Sequence, residues 1–211
     1  MPGFRAVAWD IDGTLVDSEA LHHRALVAIS KASGADISDL PDDAFRGIHM
    51  LDVWEALRPR FPTSLKRGAW IAAIERHYVE RAHEAAPSPG AIEAIRTLAA
   101  RGVAQACVSN SSRAVVDANL VALGIRDEIA FSISLDDVSA GKPDPEPFLE
   151  AARRFALPPR DVVAVEDSAA GAASARKAGL YVVNYAPGGQ TIIACDKRIA
   201  RLIDVAAMFE V

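Results

Sequence analysis

Four short segments place carboxylate, hydroxyl, amide and ammonium groups directly after apolar runs or just before helical ones. They contribute Asp10 with Asp12, Ser109 with Asn110, Lys142, and Glu166 with Asp167. Clustered carboxylates repel one another unless a cation neutralises them, and an all-oxygen ligand set selects a hard ion such as Mg²⁺. Hydroxyl groups, a lysine and the backbone N–H groups at a helix start suit the oxygens of a phosphate. Together these residue types indicate metal-assisted phosphoryl transfer.

The two aspartates of the first segment are suited to different parts of that chemistry. One carboxylate can attack phosphorus, and the other, two residues along the chain, can protonate the leaving oxygen and later take a proton from water. Asp10 and Asp167 could ligate the metal, with the backbone oxygen of Asp12 as a third ligand. The prediction requires the carboxyl groups of Asp10 and Asp167 to lie within roughly 8 Å of each other, so that they can share one ion.

Taken one at a time, each segment also fits a role without chemistry. Asp10-Ile11-Asp12-Gly13 could be a solvated turn, Ser109 to Ser112 a helix cap, and Lys142 a surface lysine. Their common placement at strand ends and helix entries is what favours function, because ligands of open α/β sheets gather at the carboxyl ends of the strands.

The elements that must position these residues follow from apolar runs and their breakers. Residues 4–9 form a short apolar run, which is typical of a buried strand. After Pro89-Gly90, strands and helices alternate, which implies a parallel sheet covered by helices on both faces. The predicted strands are 103–108, 130–135, 162–165, 181–183 and a short one near 199–202, and the predicted helices are 91–100, 113–123, 146–155, 169–178 and a last turn near 205–209.

Residues 18–86 have a different character, with apolar residues at helical spacing and no convincing strand. The predicted fold class is therefore α/β, a Rossmann-like parallel sheet with an inserted helical domain. We assign residues 1–16 and 87–211 to the α/β core and residues 17–86 to the helical domain.

Composition excludes several classes of protein. The 211 residues carry a net charge of -5 and only 6% aromatics, which argues against a basic nucleic-acid-binding surface and base-stacking platforms. No window approaches the roughly 18 apolar residues of a transmembrane helix, and two cysteines are too few for a disulfide scaffold. We expect a cytoplasmic protein that binds neither nucleic acid nor membranes, and a monomer is compatible with these features.

The motifs resemble those of the haloacid dehalogenase-like superfamily of phosphatases. The matching stretches are WDIDGTLVDS from Trp9, VSN from Val108, GKPDPEPF from Gly141, and VEDS from Val165 with Gly171. The third stretch is typical of the branch containing phosphoglycolate phosphatases and β-phosphoglucomutase, which carries a helical cap after its first motif. The resemblance extends to about Tyr185.

The resemblance implies a role for each matching residue. Asp10 would be the nucleophile and a Mg²⁺ ligand, and Asp12 the general acid/base that also gives its backbone oxygen to the metal. Asp167 would be the remaining protein ligand, with Glu166 either a ligand or a neighbour of one. Ser109 and Asn110 would hold the phosphoryl group, while Lys142 balances charge on it and on Asp10. The cap would close to exclude water and open to release product.

The substrate-facing part of the cap departs from the mutase pattern. His22 matches a cap histidine of the mutases, and Arg46 and His49 lie near the place where mutases present an arginine to a second phosphate. Met50 occupies that place here, which favours hydrolysis of a small phosphorylated metabolite, a sugar phosphate or a phosphoglycolate-like acid. Because Arg46 or His49 could substitute for the arginine, a phosphosugar mutase remains the alternative.

Two non-enzymatic alternatives explain less of the sequence. A phospho-receiver domain also uses Asp, Mg²⁺ and Lys on an α/β sheet, but predicts a chain nearer 120 residues without a helical insert. A catalytically dead relative acting as a binding module would usually have lost an aspartate or the lysine, and this chain has lost neither.

Overall fold

A computed structural model describes residues 3–41, 44–45, 48, 50–189 and 195–209. The chain divides into two compact units, Met1–Asp17 with Ala86–Val211, called the core unit below, and Ser18–Ala85, called the helical unit. Among the described residues, every helix is too short or too polar to cross a bilayer.

The core unit is built on a parallel sheet of six strands. In chain order they are β1 (Ala6–Trp9), β4 (Ala104–Val108), β5 (Phe131–Ile133), β6 (Val162–Glu166), β7 (Tyr181–Tyr185) and β8 (Lys197–Ile199). The order across the sheet is β5-β4-β1-β6-β7-β8, so β1 lies between β4 and β6. The predicted α/β class is confirmed.

A separate two-stranded antiparallel ribbon joins β2 (Val16–Asp17) to β3 (Ala86–Pro87). It pairs the two chain segments at which the core unit is interrupted, so the insertion begins and ends at adjacent points. The helical unit, Ser18–Ala85, lies between these two strands in the sequence.

The four helices of the core unit follow the predicted pattern closely. They are α4 (Ala91–Ala100), α5 (Arg113–Leu123), α6 (Glu146–Phe155) and α7 (Ala169–Lys177). Every residue of β1 and β6 is buried, as expected for strands covered on both faces. Helix α5 ends where Gly124 takes a left-handed conformation with φ of 62°, which a side chain would disfavour.

The C-terminal tail differs from its prediction. The last strand lies at Lys197–Ile199 rather than near 199–202, and a 3₁₀ helix over Leu202–Phe209 replaces the single turn predicted at 205–209. Boundaries are weakly encoded here because the strand is short and only Ile199 of its residues is buried.

The helical unit contains α1 (Glu19–Ala32), α2 (Met50–Leu57) and α3 (Arg67–Val79) with two short 3₁₀ turns, Arg58–Arg60 and Ala82–Glu84. Its interior is held by three aromatic residues: Trp54, Phe61 and Trp70 have ring centroids 5.3–5.5 Å apart. Such contacts stabilise beyond simple area burial, so this unit has an apolar core of its own.

Candidate active site

The first site residues follow β1 directly. The Asp10 N–H continues the ladder to the carbonyl of Val165 (2.9 Å), and the chain then turns back through N–H groups of Leu15 and Val16 that donate to the carbonyl of Ile11. Gly13 adopts φ of 86°, and a Cβ built there would lie 2.4 Å from Asp167 Oδ2. Glycine is needed here because the backbone is left-handed and because the carboxylate approaches so closely.

Lys142 is the buried cation of the site. Its ammonium group donates to Asp10 Oδ1 (2.6 Å), Glu166 Oε1 (2.5 Å) and the carbonyl of Val108 (2.7 Å). Three acceptors match the three protons of an ammonium group. Burial alone would lower the pKa of Lys142, but the two carboxylates outweigh it and raise that pKa. Lys142 is therefore charged at neutral pH.

Three carboxylates crowd the same place. One oxygen each of Asp10, Glu166 and Asp167 lies within 4.8 Å of the others, well inside the separation that the shared-ion prediction requires. Burial, reinforced by the charge of Asp10, raises the pKa of Glu166 to about 8 and that of Asp167 to about 7. Burial also raises the pKa of Asp10, against the pull of Lys142.

This crowding fits a divalent cation. Asp10 Oδ2 is buried and makes no hydrogen bond to any described residue, although a buried carboxylate oxygen is costly to leave unpaired. A cation bound between Asp10 and Asp167 would neutralise both and satisfy this oxygen. The carboxylate set is of the kind that hard ions prefer.

Glu166 is held from two sides. Its Oε1 is bonded to Lys142, and its Oε2 accepts the Ser168 hydroxyl at 3.1 Å. Ser168 also caps α7 by accepting the Gly171 N–H at 3.0 Å, and a Cβ at Gly171 would overlap the Glu166 carboxylate at 2.0 Å. Glu166 is therefore fully enclosed, with Lys142 as its main charge partner.

Asp12 has a different set of neighbours from Asp10. Its Oδ2 accepts the hydroxyls of Ser111 (2.8 Å) and Ser109 (3.4 Å), and its Oδ1 lies 3.4 Å from Asn119 Nδ2 on α5. The two aspartates, two residues apart, thus lie in separate surroundings: Asp10 beside an ammonium group, Asp12 beside hydroxyl and amide donors. Such a difference suits two carboxylates with two functions.

The side chain of Asn110 has a structural partner that its motif does not reveal. It donates to the carbonyl of Lys142 (2.9 Å) and accepts the Lys142 N–H (2.8 Å). This reciprocal pair holds the loop that delivers Lys142, and a Cβ at Gly141 would lie 2.7 Å from the Asn110 oxygen. Any contact of Asn110 with a phosphoryl group would therefore use its backbone.

Three residues that contact the predicted carboxylates were not predicted from the sequence: Thr14, Ser111 and Asn119. The Thr14 hydroxyl donates to Asp167 Oδ1 at 3.1 Å. Thr14 lies in the WDIDGTLVDS motif and Ser111 in the stretch from Ser109 to Ser112, so both were close to residues that were predicted. For Asn119, the available signal was a polar residue on the apolar face of the predicted helix 113–123.

The predicted cap residues belong to the helical unit. His22 lies on α1, half-buried, with its ring stacked on Tyr78 at 4.2 Å and 20°. Arg46 and His49 lie outside the described residues, and Met50 is the first residue of α2. The substrate contacts predicted for His22 and Arg46 stay predictions.

The chain is similar to several known proteins. Residues 4–179 match the family model for haloacid dehalogenase-like hydrolases. Protein CbbY of Rhodobacter capsulatus is 32% identical over 94% of this chain and 93% of its own, and hexitol phosphatase B of Escherichia coli K12 is 28% identical over 96% and 94%.

The structure is also similar to that of a CbbY protein. The crystal structure of CbbY from Rhodobacter sphaeroides in complex with phosphate superposes with a TM-score of 0.85, at 25% identity and 96% coverage of each chain. The family predicted from the motifs is thereby confirmed, together with the enzyme class. The chain belongs to the haloacid dehalogenase-like hydrolase family, as an enzyme of the phosphatase type.

Proposed function

We propose that this enzyme hydrolyses a small phosphorylated metabolite through a phosphoaspartyl intermediate on Asp10, with Mg²⁺ as its metal. The observation that carries the proposal is the pairing of Lys142 with one oxygen of Asp10 while the other oxygen, Oδ2, is buried without a hydrogen bond to the described residues. A carboxylate oriented by one cation and left unsatisfied on its second oxygen is suited to bind a metal and attack phosphorus.

The residues that would hold Mg²⁺ are Asp10, Asp167 and the backbone oxygen of Asp12. Glu166 is already bonded to Lys142 and Ser168, so its proposed role is to orient Lys142 rather than to ligate the metal. When bound, the ion would offset the charge of the carboxylates and of the phosphoryl oxygens.

Residues of the chain carry out the bond-forming and proton-transfer steps. An Asp10 carboxylate oxygen forms a bond to phosphorus while the bond between phosphorus and the ester oxygen breaks. Asp12 gives its proton to that oxygen, releasing the alcohol. Asp12 then takes a proton from a water that attacks phosphorus, which releases phosphate and restores Asp10. Ser109 and the backbone of Asn110 hold the phosphoryl oxygens throughout, and the nearby charge of Lys142 offsets the negative charge of those oxygens.

The proposed substrate is a sugar phosphate or a phosphoglycolate-like acid. Hexitol phosphatase B, named above, carries a phosphatase name that refers to a sugar alcohol. We propose that the helical unit serves as a cap that excludes water during the first step, with His22 and Arg46 as residues that select the substrate.

A panel of phosphorylated metabolites tests the proposal. It contains p-nitrophenyl phosphate, hexose and hexitol phosphates, phosphoglycolate and a sugar bisphosphate, and phosphate release is followed with Mg²⁺ and with EDTA. We expect turnover only with Mg²⁺ and none for Asp10→Asn. Asp127→Asn, which changes an exposed carboxylate of the core unit, is the matched control and should retain activity.

Two results would contradict the proposal. Activity that survives Asp10→Asn would exclude Asp10 as nucleophile. Conversion of a hexose 1-phosphate into the 6-phosphate in the presence of the bisphosphate, without net phosphate release, would identify the phosphosugar mutase alternative.

A further inference from the structure

Helix α5 carries one amide on its inward, otherwise apolar face. The buried residues of this face are Val115, Val116, Asn119, Leu120 and Leu123. Asn119 is only 1% exposed. Burying an amide costs free energy unless its polar atoms are hydrogen-bonded, so a core position that keeps Asn needs a specific polar partner.

That partner is the carboxylate of Asp12. Asn119 Nδ2 lies 3.4 Å from Asp12 Oδ1, while Ser111 Oγ donates to Oδ2 at 2.8 Å. The carboxylate is thus held at both oxygens, one by a helix and the other by the loop after β4. An amide N–H can only donate, whereas a serine hydroxyl can rotate and either donate or accept. Asn119 therefore supplies the donor whose direction is set by a helix.

We propose that Asn119 is a positioning residue for the general acid/base, acting through Asp12. It limits the rotation of the Asp12 carboxyl group and keeps its proton in line with the leaving oxygen. This inference rests on the proposed function, in which Asp12 protonates that oxygen. General acid catalysis depends on hydrogen-bond geometry, and small misplacements of a reacting group cost large factors in rate.

Leaving groups of different basicity test this role. An alkoxide needs a proton to leave, whereas p-nitrophenolate leaves readily without one. We compare kcat/KM, which reports the steps up to departure of the leaving group, for p-nitrophenyl phosphate and for the fastest alkyl phosphate of the panel. Asn119→Leu keeps the size of the side chain and removes the donor. This variant should lower kcat/KM about tenfold for the alkyl phosphate and less than about twofold for p-nitrophenyl phosphate.

The controls separate positioning from packing. Leu123→Ala removes packing one turn further along the same face of α5 and should leave the ratio of the two kcat/KM values unchanged. Asn119→Asp, nearly identical in shape, places an acceptor against the carboxylate and should reproduce the selective loss if Asn119→Leu fails to fold.

Two outcomes distinguish this inference from the proposed function. If Asp12→Asn lowers kcat/KM equally for both substrates, Asp12 is not the general acid, and the inference about Asn119 fails with that role. In the second outcome, Asp12→Asn lowers kcat/KM for the alkyl phosphate selectively. If the Asn119 variants then lower kcat/KM for both substrates equally, or for neither, only the positioning role of Asn119 is overturned.

Discussion

The core unit has buried ion pairs in addition to exposed ones, whereas the ion pairs among the described residues of the helical unit are exposed. In the core unit, the ion pairs of Lys142 with Asp10 and Glu166 join side chains that are at most 10% exposed. In the helical unit, the pair of Arg24 and Glu84 at 2.9 Å has side chains 51% and 41% exposed. Buried charges are expensive to assemble, whereas exposed pairs contribute little.

The interiors of the two units also differ in which residue types they bury. The helical unit buries a cluster of aromatic rings, while the core unit buries charged and polar residues at the ends of its strands. An arrangement that costs stability in one place indicates function there. Matched substitutions, one in each unit, should therefore differ in their effects on activity, on stability or on both.

The largest effect is expected from Lys142→Met. Loss of the ammonium group leaves the carboxylates of Asp10 and Glu166 buried without their cation. This should destabilise the protein by about 3–5 kcal/mol and lower turnover by more than about 10³-fold. Urea unfolding and phosphate release measure the two quantities. Arg24→Met, which breaks the exposed pair of the helical unit, should cost less than about 1 kcal/mol. Equal costs for the two variants would remove the contrast.

Two glycines with positive φ provide a second comparison. A Cβ at Gly13 (φ 86°) would lie 2.4 Å from the Asp167 carboxylate, while a Cβ at Gly34 (φ 91°) in the helical unit would meet Pro62 Cγ at an ordinary 3.4 Å. Both alanine variants should cost about 1–2 kcal/mol of backbone strain. Only Gly13→Ala should also displace Asp167, and we expect its activity to fall about 100-fold. A comparable loss of activity in Gly34→Ala would show that backbone strain alone is responsible.

Metal binding should stabilise the protein measurably. At a hundredfold excess of Mg²⁺ over its Kd, the free energy of unfolding should rise by about 2.7 kcal/mol, seen as a higher Tm. Because ligation needs ionised carboxylates and the pKa of Asp167 is raised to about 7, this gain should grow between pH 6 and pH 8. Asp167→Asn should abolish it, and Asp127→Asn should not. A gain that is independent of pH would argue against these ligands.

The smallest effect concerns a charge of the core unit outside the site. Asp137 is partly buried, which alone would raise its pKa, but hydrogen bonds from Ser134 and the charge of Arg113 lower that pKa to about 2. A lowered pKa stabilises the folded state above the unfolded pKa of about 4, and this contribution is lost as pH falls towards 2. Asp137→Asn should cost about 1 kcal/mol at pH 7 because solvent screens the group, and its difference from the wild type should shrink in unfolding curves at pH 3. An unchanged difference would contradict the linkage.

Much of the core unit could be predicted because its signals are local. Apolar runs of strand length, glycine at helix ends such as Gly124, and acidic residues directly after a strand depend on neighbours within a few positions. The carboxyl ends of parallel strands meet at one edge of the sheet, so the proximity of Asp10 and Asp167 followed from the order of the elements.

The sequence by itself determined the family, the α/β pattern and the residues that end the strands. Only the tertiary structure decided which atoms pair: that Glu166 and Asp10 share the ammonium group of Lys142, that Asn110 holds the Lys142 loop, and that Asn119 reaches Asp12. The physical reason is that these contacts join residues from 24 to 132 positions apart. Their partners are chosen by the packing of helices on the sheet, which no local pattern of residues records.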